Sequence, residues 1–401
     1  MKRPDGRCSG SEIASAKMPL RIGVNALYLI PGRVGGTEIY LRNLLGALAE
    51  VDPVNEYVIF TNRETGADLT PRRPNFQTAP QPVPASFRPA RILWEQTVLP
   101  IEARRQRLDV LFNPGFTAPV CCPCPQVTVF HDLQHKRHPE YFRWFDLPFW
   151  RLLLWAAARC SALLVAVSQA TAADLARYYA TPVEKIRVIG HGVEERFFDI
   201  GRERQRRPCA PLVLTVSTLH PHKNLERLVR VFGRFRARHP EYSLVLAGLR
   251  GFHTKAVERA VAEADLSRSV RLTGWIPREE LYELYRDAAA FLYPSLFEGF
   301  GLPVLEAWAA GIPTACSDIE PLRSLADGAA LLFDPRDEEA LLTALERLVS
   351  DETVRARLAA AGPERARAYS WRRAAELTLA TLTEARAPAG ISPTEGCGRA
   401  T

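Results

Sequence analysis

From Leu20 onward, short runs of aliphatic and β-branched residues alternate with stretches whose apolar positions recur at helical spacing. A parallel strand covered on both faces reads as a continuous apolar run, and a helical stretch between two such runs supplies the crossover. In the first half this pattern predicts strands at Arg21 to Asn25, Tyr57 to Phe60, Val110 to Phe112, Val127 to Phe130, Leu163 to Val167 and Ile186 to Ile189. Between the first two, Glu38 to Glu50 carries Ile39, Leu41, Leu44, Leu45 and Leu48, mostly at helical spacing. The most apolar stretch, Leu147 to Val167, is interrupted by Arg151, Arg159 and Ser161. It falls short of the ~20 apolar residues that cross a bilayer and divides into an amphipathic helix and a short buried strand. After Ser168, Thr171 with Asp174 three residues on predicts a helix start in the manner of a capping box.

Between Asp199 and Pro211 the chain is charged, poor in apolar residues and closed by prolines, which predicts a linker. The alternation then restarts, with strands at Leu212 to Val216, Ser243 to Ala247, Val270 to Thr273, Phe291 to Tyr293, Thr314 to Cys316 and Leu331 to Phe333, and a helix at Leu225 to Phe235. Glu338 to about Ala387 is helical with a break expected at Gly362-Pro363. The expected organisation is a polar leader at 1–17, an α/β domain at 18–200, a linker at 201–211, a second α/β domain at 212–370, a terminal helix at 371–387 and a polar tail at 388–401. In paired α/β domains, ligands bind at the carboxyl ends of the strands, in the crevice between the halves.

Composition agrees with that layout. A chain of 401 residues exceeds what one core organises, and 47% hydrophobic with 24% charged residues excludes a disordered, collagenous or membrane-bundle protein. The net charge of +7 suits an anionic partner such as a nucleoside diphosphate or an acidic lipid surface. No nucleic-acid partner is expected, and the leader lacks the apolar core of a secretory signal, so a cytoplasmic location, with peripheral contact at a membrane, is expected. Cys8, Cys160, Cys209, Cys316 and Cys397 are scattered singly and read as reduced thiols. Cys121, Cys122 and Cys124 offer three soft ligands or a Pro-rich turn before a strand; no second ligand pair stands at zinc-site spacing.

The most informative segment runs from Pro294 to Pro313, with Glu298, Gly299, Phe300, Gly301, Leu302 and Pro303 followed by Glu306 and Gly311. A strand ends near Tyr293, a glycine loop follows, Pro303 suits a first helical turn and Gly311-Pro313 ends the helix. A helix N-terminus beside glycines offers free N–H groups and a partial positive charge, which fits a diphosphate. Two carboxylates bracket that point and accept paired hydrogen bonds from vicinal hydroxyls; they read equally as a loop acid and a helix acid near a favourable dipole. Lys223 follows the strand Leu212 to Val216 and opens a helix, either as a surface lysine or as a point charge for a phosphate leaving group. Gly32, Gly35 and Gly36 lie between the first strand and first helix, in a loop that permits close backbone approach or is a plain turn. His131-Asp132 ends the strand Val127 to Phe130, a position for a structural hydrogen bond or for a sugar hydroxyl. Tyr141 to Arg151 mixes aromatic and basic residues, as a core segment or the edge of an anionic membrane would.

Glu298-x7-Glu306 in its frame Pro-Ser-x-x-Glu-Gly-Phe-Gly-Leu-Pro-x-x-Glu-Ala-x-Ala-x-Gly resembles the signature of the family 4 retaining glycosyltransferases, and Gly274 to Leu281 and Leu284-Tyr285-x-x-Ala288 extend the likeness upstream. The resemblance is close over the second half and looser over the first. It implies an α/β GT-B fold, two Rossmann-like domains with a cleft between them, the first on the acceptor side and the second binding the donor. It further implies that Glu298 contacts the donor sugar and Glu306 the ribose. The loop Gly299, Phe300, Gly301 and Leu302, with Lys223 and Asn224, would hold the donor, Gly36 would face the diphosphate, and His131 would touch sugar or acceptor. Family members usually carry an arginine nearby as a second phosphate clamp, often immediately before the lysine, where this chain has His222. Either His222 donates when protonated, or another arginine reaches in, or the phosphate site is weaker. The terminal helix is expected to cross back onto the first domain. Because the chain has no Asp-x-Asp motif, the resemblance implies a metal-independent hexosyltransferase without a cofactor. Its expected donor is a nucleoside-diphosphate sugar, with a lean to GDP-mannose, and its acceptor a glycan or lipid-linked precursor of a polysaccharide. Two rivals remain: a nucleotide-sugar epimerase on the same fold, and a nucleotide-sugar-binding protein whose clamp has decayed at His222.

Overall fold

The computed structural model describes residues 19–386, so the expected leader 1–17 and tail 388–401 lie outside the described residues. The first unit contains β1 (Arg21–Asn25), α1 (Gly36–Val51), β2 (Glu56–Thr61), β3 (Phe76–Pro80), α2 (Arg88–Arg105), β4 (Val110–Asn113), β5 (Gln126–Phe130), α3 (Gln134–Arg137), a 3₁₀ turn (Pro139–Tyr141), α4 (Leu147–Cys160), β6 (Leu163–Ala166), α5 (Gln169–Tyr179) and β7 (Ile186–Val188). Its seven strands are parallel in the order β3-β2-β1-β4-β5-β6-β7. The period of two along each strand sorts the core. Ile22, Val24, Ile59, Val110, Phe112, Val127 and Val129 meet Leu41, Leu44 and Leu48 of α1. On the opposite face, Val58, Phe60 and Leu111 meet Leu99 and Ala103 of α2, while Phe130, Leu164 and Ala166 meet Leu154 and Ala157 of α4.

The second unit contains α6 (Glu195–Arg204), β8 (Ala210–Val216), a 3₁₀ turn (Pro221–Lys223), α7 (Leu225–Arg236), β9 (Ser243–Ala247), α8 (Thr254–Glu263), β10 (Val270–Gly274), α9 (Arg278–Asp287), β11 (Ala288–Tyr293), α10 (Leu302–Ala309), β12 (Thr314–Ser317), α11 (Leu322–Ala326), β13 (Leu331–Phe333), α12 (Glu338–Ser350) and α13 (Glu352–Ala366). Its six parallel strands run β10-β9-β8-β11-β12-β13. In both sheets the chain reverses its direction of travel beside the first strand, between β1 and β4 and between β8 and β11. The segments leaving those four strands are therefore the natural walls of a binding crevice. They carry the glycine loop, the stretch ending in Lys223 and the motif after Tyr293.

Four expectations need correction. The predicted linker 201–211 is instead the end of α6, a short turn and the start of β8. Phe197, Ile200 and Arg204 are buried on one helical face of α6, and the Arg204 guanidinium donates to the carbonyls of Tyr285, Arg286 and Ala288 at 3.1, 2.7 and 2.7 Å. An arginine-rich stretch can thus be an interior helix when its charge satisfies the carbonyls at another helix's end. The break expected at Gly362-Pro363 does not occur, since α13 continues through both. A Cβ on Gly362 would lie 3.1 Å from the Trp308 backbone, so the glycine serves the packing of α13 on α10. Ser168, not Thr171, caps α5, accepting from the Thr171 N–H at 3.1 Å, and Asp174 takes a bidentate pair from Arg137. The pattern also predicts nothing between Phe60 and Val110, where β3 and α2 lie. Pro89 fits the first turn of α2, and Pro100 costs that 18-residue helix one hydrogen bond.

The last helix, α14 (Trp371–Ala385), packs against α1, β4 and β5 of the first unit and buries Trp371, Ala374, Ala375 and Leu382 in a core cluster that runs through both units. The two passages between units run side by side: the Val193 N–H donates to the Tyr369 carbonyl at 3.2 Å, and Val193 bridges Ser370.

Candidate active site

The segments leaving β8 and β11 meet at Lys223 and Glu298. Lys223 Nζ donates to Glu298 Oε1 at 2.6 Å and lies 3.2 Å from the Tyr293 hydroxyl, with both charged side chains largely buried. The Leu296 N–H donates to the His222 carbonyl at 2.7 Å, which ties the two segments together below that pair. Tyr293, at the end of β11, is fully buried, and its phenol is pushed well above its ordinary pKa, first by burial and then by the facing Glu298 carboxylate. It therefore stays a neutral hydroxyl between ammonium and carboxylate. Tyr293 is legible in the sequence only as the last residue of a strand.

Beyond Glu298 the chain turns through Gly299 and Phe300 into Gly301, which has φ +108° and caps α10. A Cβ there would meet Leu322 at 2.5 Å, so both conformation and space require glycine. The N–H groups of Gly299, Phe300, Gly301 and Leu302 have no acceptor among the described residues. Four donors at a helix N-terminus form an anion-binding concavity. The Phe300 ring turns inward against His191, 4.6 Å between centroids, so only its backbone faces the crevice.

Glu306 lies one turn inside α10 and is 3% exposed. Its Oε1 accepts from Arg278 at 2.9 Å and its Oε2 from the Tyr285 hydroxyl at 2.7 Å. The same Arg278 nitrogen also contacts Glu194. Burial pulls the Arg278 pKa down, but Glu306 and Glu194 more than offset it, while burial raises that of Glu306. Arg278 and Tyr285 sit inside the two upstream stretches of the motif, yet nothing in their spacing marks them as partners of Glu306.

The first unit supplies the facing wall. The His131 carbonyl lies so close to Gly299 that a Cβ on that glycine would sit 1.8 Å from it, and Thr171 Oγ1 approaches the Gly299 carbonyl at 3.4 Å. The His131 ring is buried, with Nε2 donating to the Pro114 carbonyl at 2.9 Å, and burial lowers its pKa to about 4. It is a neutral imidazole whose Nε2 proton is already engaged. Asp132 is half-buried beside it, its pKa raised by desolvation despite an N–H bond from Gln134. Gly35, with φ +62°, caps α1 and faces Thr218 and Leu249 across the crevice. Gly36 begins the helix itself and has nothing within 4 Å of the position of a Cβ.

Two expected roles change. His222 is not a cationic clamp: burial first, then Lys223, lowers its pKa to about 2, and its Nδ1 accepts from the Gln134 side-chain amide at 2.6 Å across the crevice. Asn224 is a structural clip. It adopts φ +58°, its amide donates to the carbonyls of Pro294 and Pro335, and its oxygen accepts from Arg227. Among the described residues no three His, Cys, Asp or Glu side chains gather as a metal-binding group, and Cys122 and Cys124 face each other at 3.7 Å.

Residues 34–197 match the family model described as Glycosyltransferase Family 4, and residues 199–365 match that for Glycosyl transferases group 1. The chain belongs to this glycosyltransferase family. The glycosyltransferase is 30% identical to the MMP alpha-(1->4)-mannosyltransferase of Mycolicibacterium hassiacum over 327 residues, 76% of each chain. With O-antigen chain mannosyltransferase B of Escherichia coli it shares 27% identity over 268 residues, 63% of this chain and 68% of that one. It spans only 28% of the length of the serotype-specific mannosyltransferase WbdA of the same organism. Among solved structures, HepE of Anabaena in complex with UDP and glucose superposes with a TM-score of 0.71 at 17% identity, covering 91% of this chain and 100% of that one. That likeness shows the shared two-domain GT-B fold.

Proposed function

We propose that this glycosyltransferase moves a hexose from a nucleoside-diphosphate sugar to a glycan or lipid-linked acceptor in polysaccharide synthesis, with retention of configuration and without a metal. The observation that carries the reading is the Lys223–Glu298 pair at 2.6 Å, set beside four free N–H groups at the start of α10. The N–H groups and Lys223 would hold the diphosphate, and Glu298 would accept from hydroxyls of the donor sugar. As the bond from the anomeric carbon to the diphosphate oxygen breaks, Lys223 and the helix terminus meet the charge that develops on the leaving group. The acceptor oxygen bonds to that carbon on the same face, and its proton passes to the departing diphosphate oxygen. Glu306, fixed by Arg278 and Tyr285, has lone pairs left for the ribose hydroxyls. With His222 neutral, its remaining ring N–H would act as an uncharged donor to phosphate. A mannose donor, GDP-mannose first, is supported by the names of the relatives above, and the lack of an Asp-x-Asp motif supports metal independence.

The test incubates the full chain with UDP-, GDP- and ADP-sugars, glycan and lipid-linked acceptors and excess chelator, following nucleotide diphosphate and product. Transfer that persists with chelator is expected, and Glu298→Gln and Lys223→Ala should each lower kcat by at least ~100-fold. Full activity of Glu298→Gln would remove its assignment. Conversion of donor to an isomeric sugar without acceptor would establish the epimerase instead, and donor binding without turnover on any acceptor would establish a binding protein.

A further inference from the structure

Helix α4 is apolar on both sides. Leu153, Leu154 and Ala156 to Ala158 face the sheet, as a covering helix requires, but the outward stripe carries Phe149, Leu152 and Trp155 before it reaches a charge at Arg159. The segment entering the helix adds Trp144, 83% exposed, and Phe145. A soluble helix normally turns polar residues to water, and contiguous large apolar groups on a surface mark an interaction site. The helix has 14 residues, about 21 Å at the usual rise, and no helix among the described residues is long and apolar enough to cross a membrane.

Helix α2 lies on the same face of the sheet. Arg88 at its start sits over the Trp150 ring, 5.0 Å from the centroid, and its outward positions include Leu93 and Ile101. The basic groups flank this ridge: Arg143 stands over Phe145 before α4, and Arg159 is exposed in its last turn. Asp146 is the one acid within the stretch Arg143 to Arg159, against three arginines. An apolar ridge with tryptophans and flanking arginines complements acyl chains and anionic headgroups.

The ridge also adjoins the crevice. His131 ends β5, α3 and the 3₁₀ turn follow, and Tyr141 lies 6.0 Å from the His222 ring, only three residues before Trp144. Three residues span at most ~10 Å.

We propose that the outward face of α4, with α2 beside it, is a docking surface for an anionic lipid bilayer, inserting Trp144, Phe149, Leu152 and Trp155 to the headgroup boundary and setting the crevice against the membrane. The link to catalysis rests on a lipid-linked acceptor, as read above, whereas binding to a bilayer does not depend on it.

Sedimentation of the full chain with vesicles tests this, using phosphatidylcholine alone and phosphatidylcholine containing phosphatidylglycerol. Binding to the anionic vesicles at least ~10-fold stronger than to the neutral ones, and weakening as salt rises, is expected. Phe149→Ser/Leu152→Ser/Trp155→Ser should abolish it, and Arg143→Glu/Arg159→Glu should lower it by ~10-fold or more. Neither variant touches the core or the crevice, so release of nucleotide diphosphate with a water-soluble acceptor should stay at the wild-type rate. Absence of vesicle binding, or equal binding of wild type and triple variant, would overturn the proposal. So would a dimer in light scattering that the triple variant splits while vesicles are ignored, since the ridge would then cover a second copy. Vesicle binding without sugar transfer would leave the surface intact and sink the proposed reaction.

Discussion

A histidine that must stay neutral in the fold makes stability depend on acidity in a calculable direction. His131 is buried against Tyr40, Phe116 and His191, and its pKa falls from 6.5 to about 4. Between those values the unfolded chain binds a proton that the folded chain refuses, so this contribution to stability is present above pH 6.5 and is lost as the pH falls toward 4. At pH 5 the loss amounts to about 2 kcal/mol. His131→Gln keeps a donor for the Pro114 carbonyl but removes the titration. Acids with raised pKa values, Glu306 and Asp132, titrate with the opposite sign, so the effect of His131 is read from the difference between the two proteins. Urea unfolding at pH 7.5 and pH 5 should show the variant losing about 2 kcal/mol less than wild type across that interval, and parallel losses would contradict the assignment. The residues of the crevice were unevenly legible. Glu298 and Lys223 stand out because glycine, proline and acid spacing marks the loops that bear them. Tyr293, Arg278 and Gln134 do not, because their importance comes from partners brought near by the sheets.

At the scale of elements, the loops leaving the strands proved easier to read than the segments joining domains. The strands were visible because parallel sheets bury both faces, so period and composition agree. The stretch after Asp199 misled because its arginines look solvent-bound, while Phe197, Ile200 and Arg204 sit at the spacing of one helical face. Arg204→Met would leave three carbonyls near the C-terminus of α9 without their donor, at a cost of about 3–5 kcal/mol. Chemical unfolding would show this, and a loss below ~1 kcal/mol would mean that water replaces the guanidinium. Gly299 makes the complementary point for the motif loop. Its place in the signature reads as freedom for a turn, yet its φ is not in the left-handed region; the His131 carbonyl leaves no room for a side chain. Gly299→Ala must push the first unit's wall away from the Gly299–Leu302 loop, and a displacement near 1 Å costs ~100-fold in rate. A fall in kcat/KM of that size is expected together with a loss of about 1–3 kcal/mol in unfolding free energy, and an undiminished rate would show that the two walls need not touch during transfer.

At the scale of the molecule, covalent and energetic membership differ for the last helix. α14 follows α13 of the second unit, but the elements it packs against most are α1, β4 and β5 of the first, with Trp371, Ala374, Ala375 and Leu382 buried. Full burial of a large apolar side chain contributes roughly 1.5–3 kcal/mol, so Trp371 and Leu382 alone account for several kcal/mol of cover over the first sheet. The passage into α14 also runs against the outgoing one, and a Cβ on Gly192 would sit 2.1 Å from the Trp371 N–H. The two units are thus joined at one paired crossing, and any relative motion must turn about it while α14 moves with the first unit. The consequence is local. Trp371→Ala/Leu382→Ala should loosen α1, β1 and β2 while leaving α7, β8 and β9 of the second unit as protected as before. Native-state hydrogen exchange reads this directly, since amides that open by partial unfolding report the stability of their own unit. Uniform loss of protection across both sheets would show instead that the two units unfold as one, with α14 as their shared core.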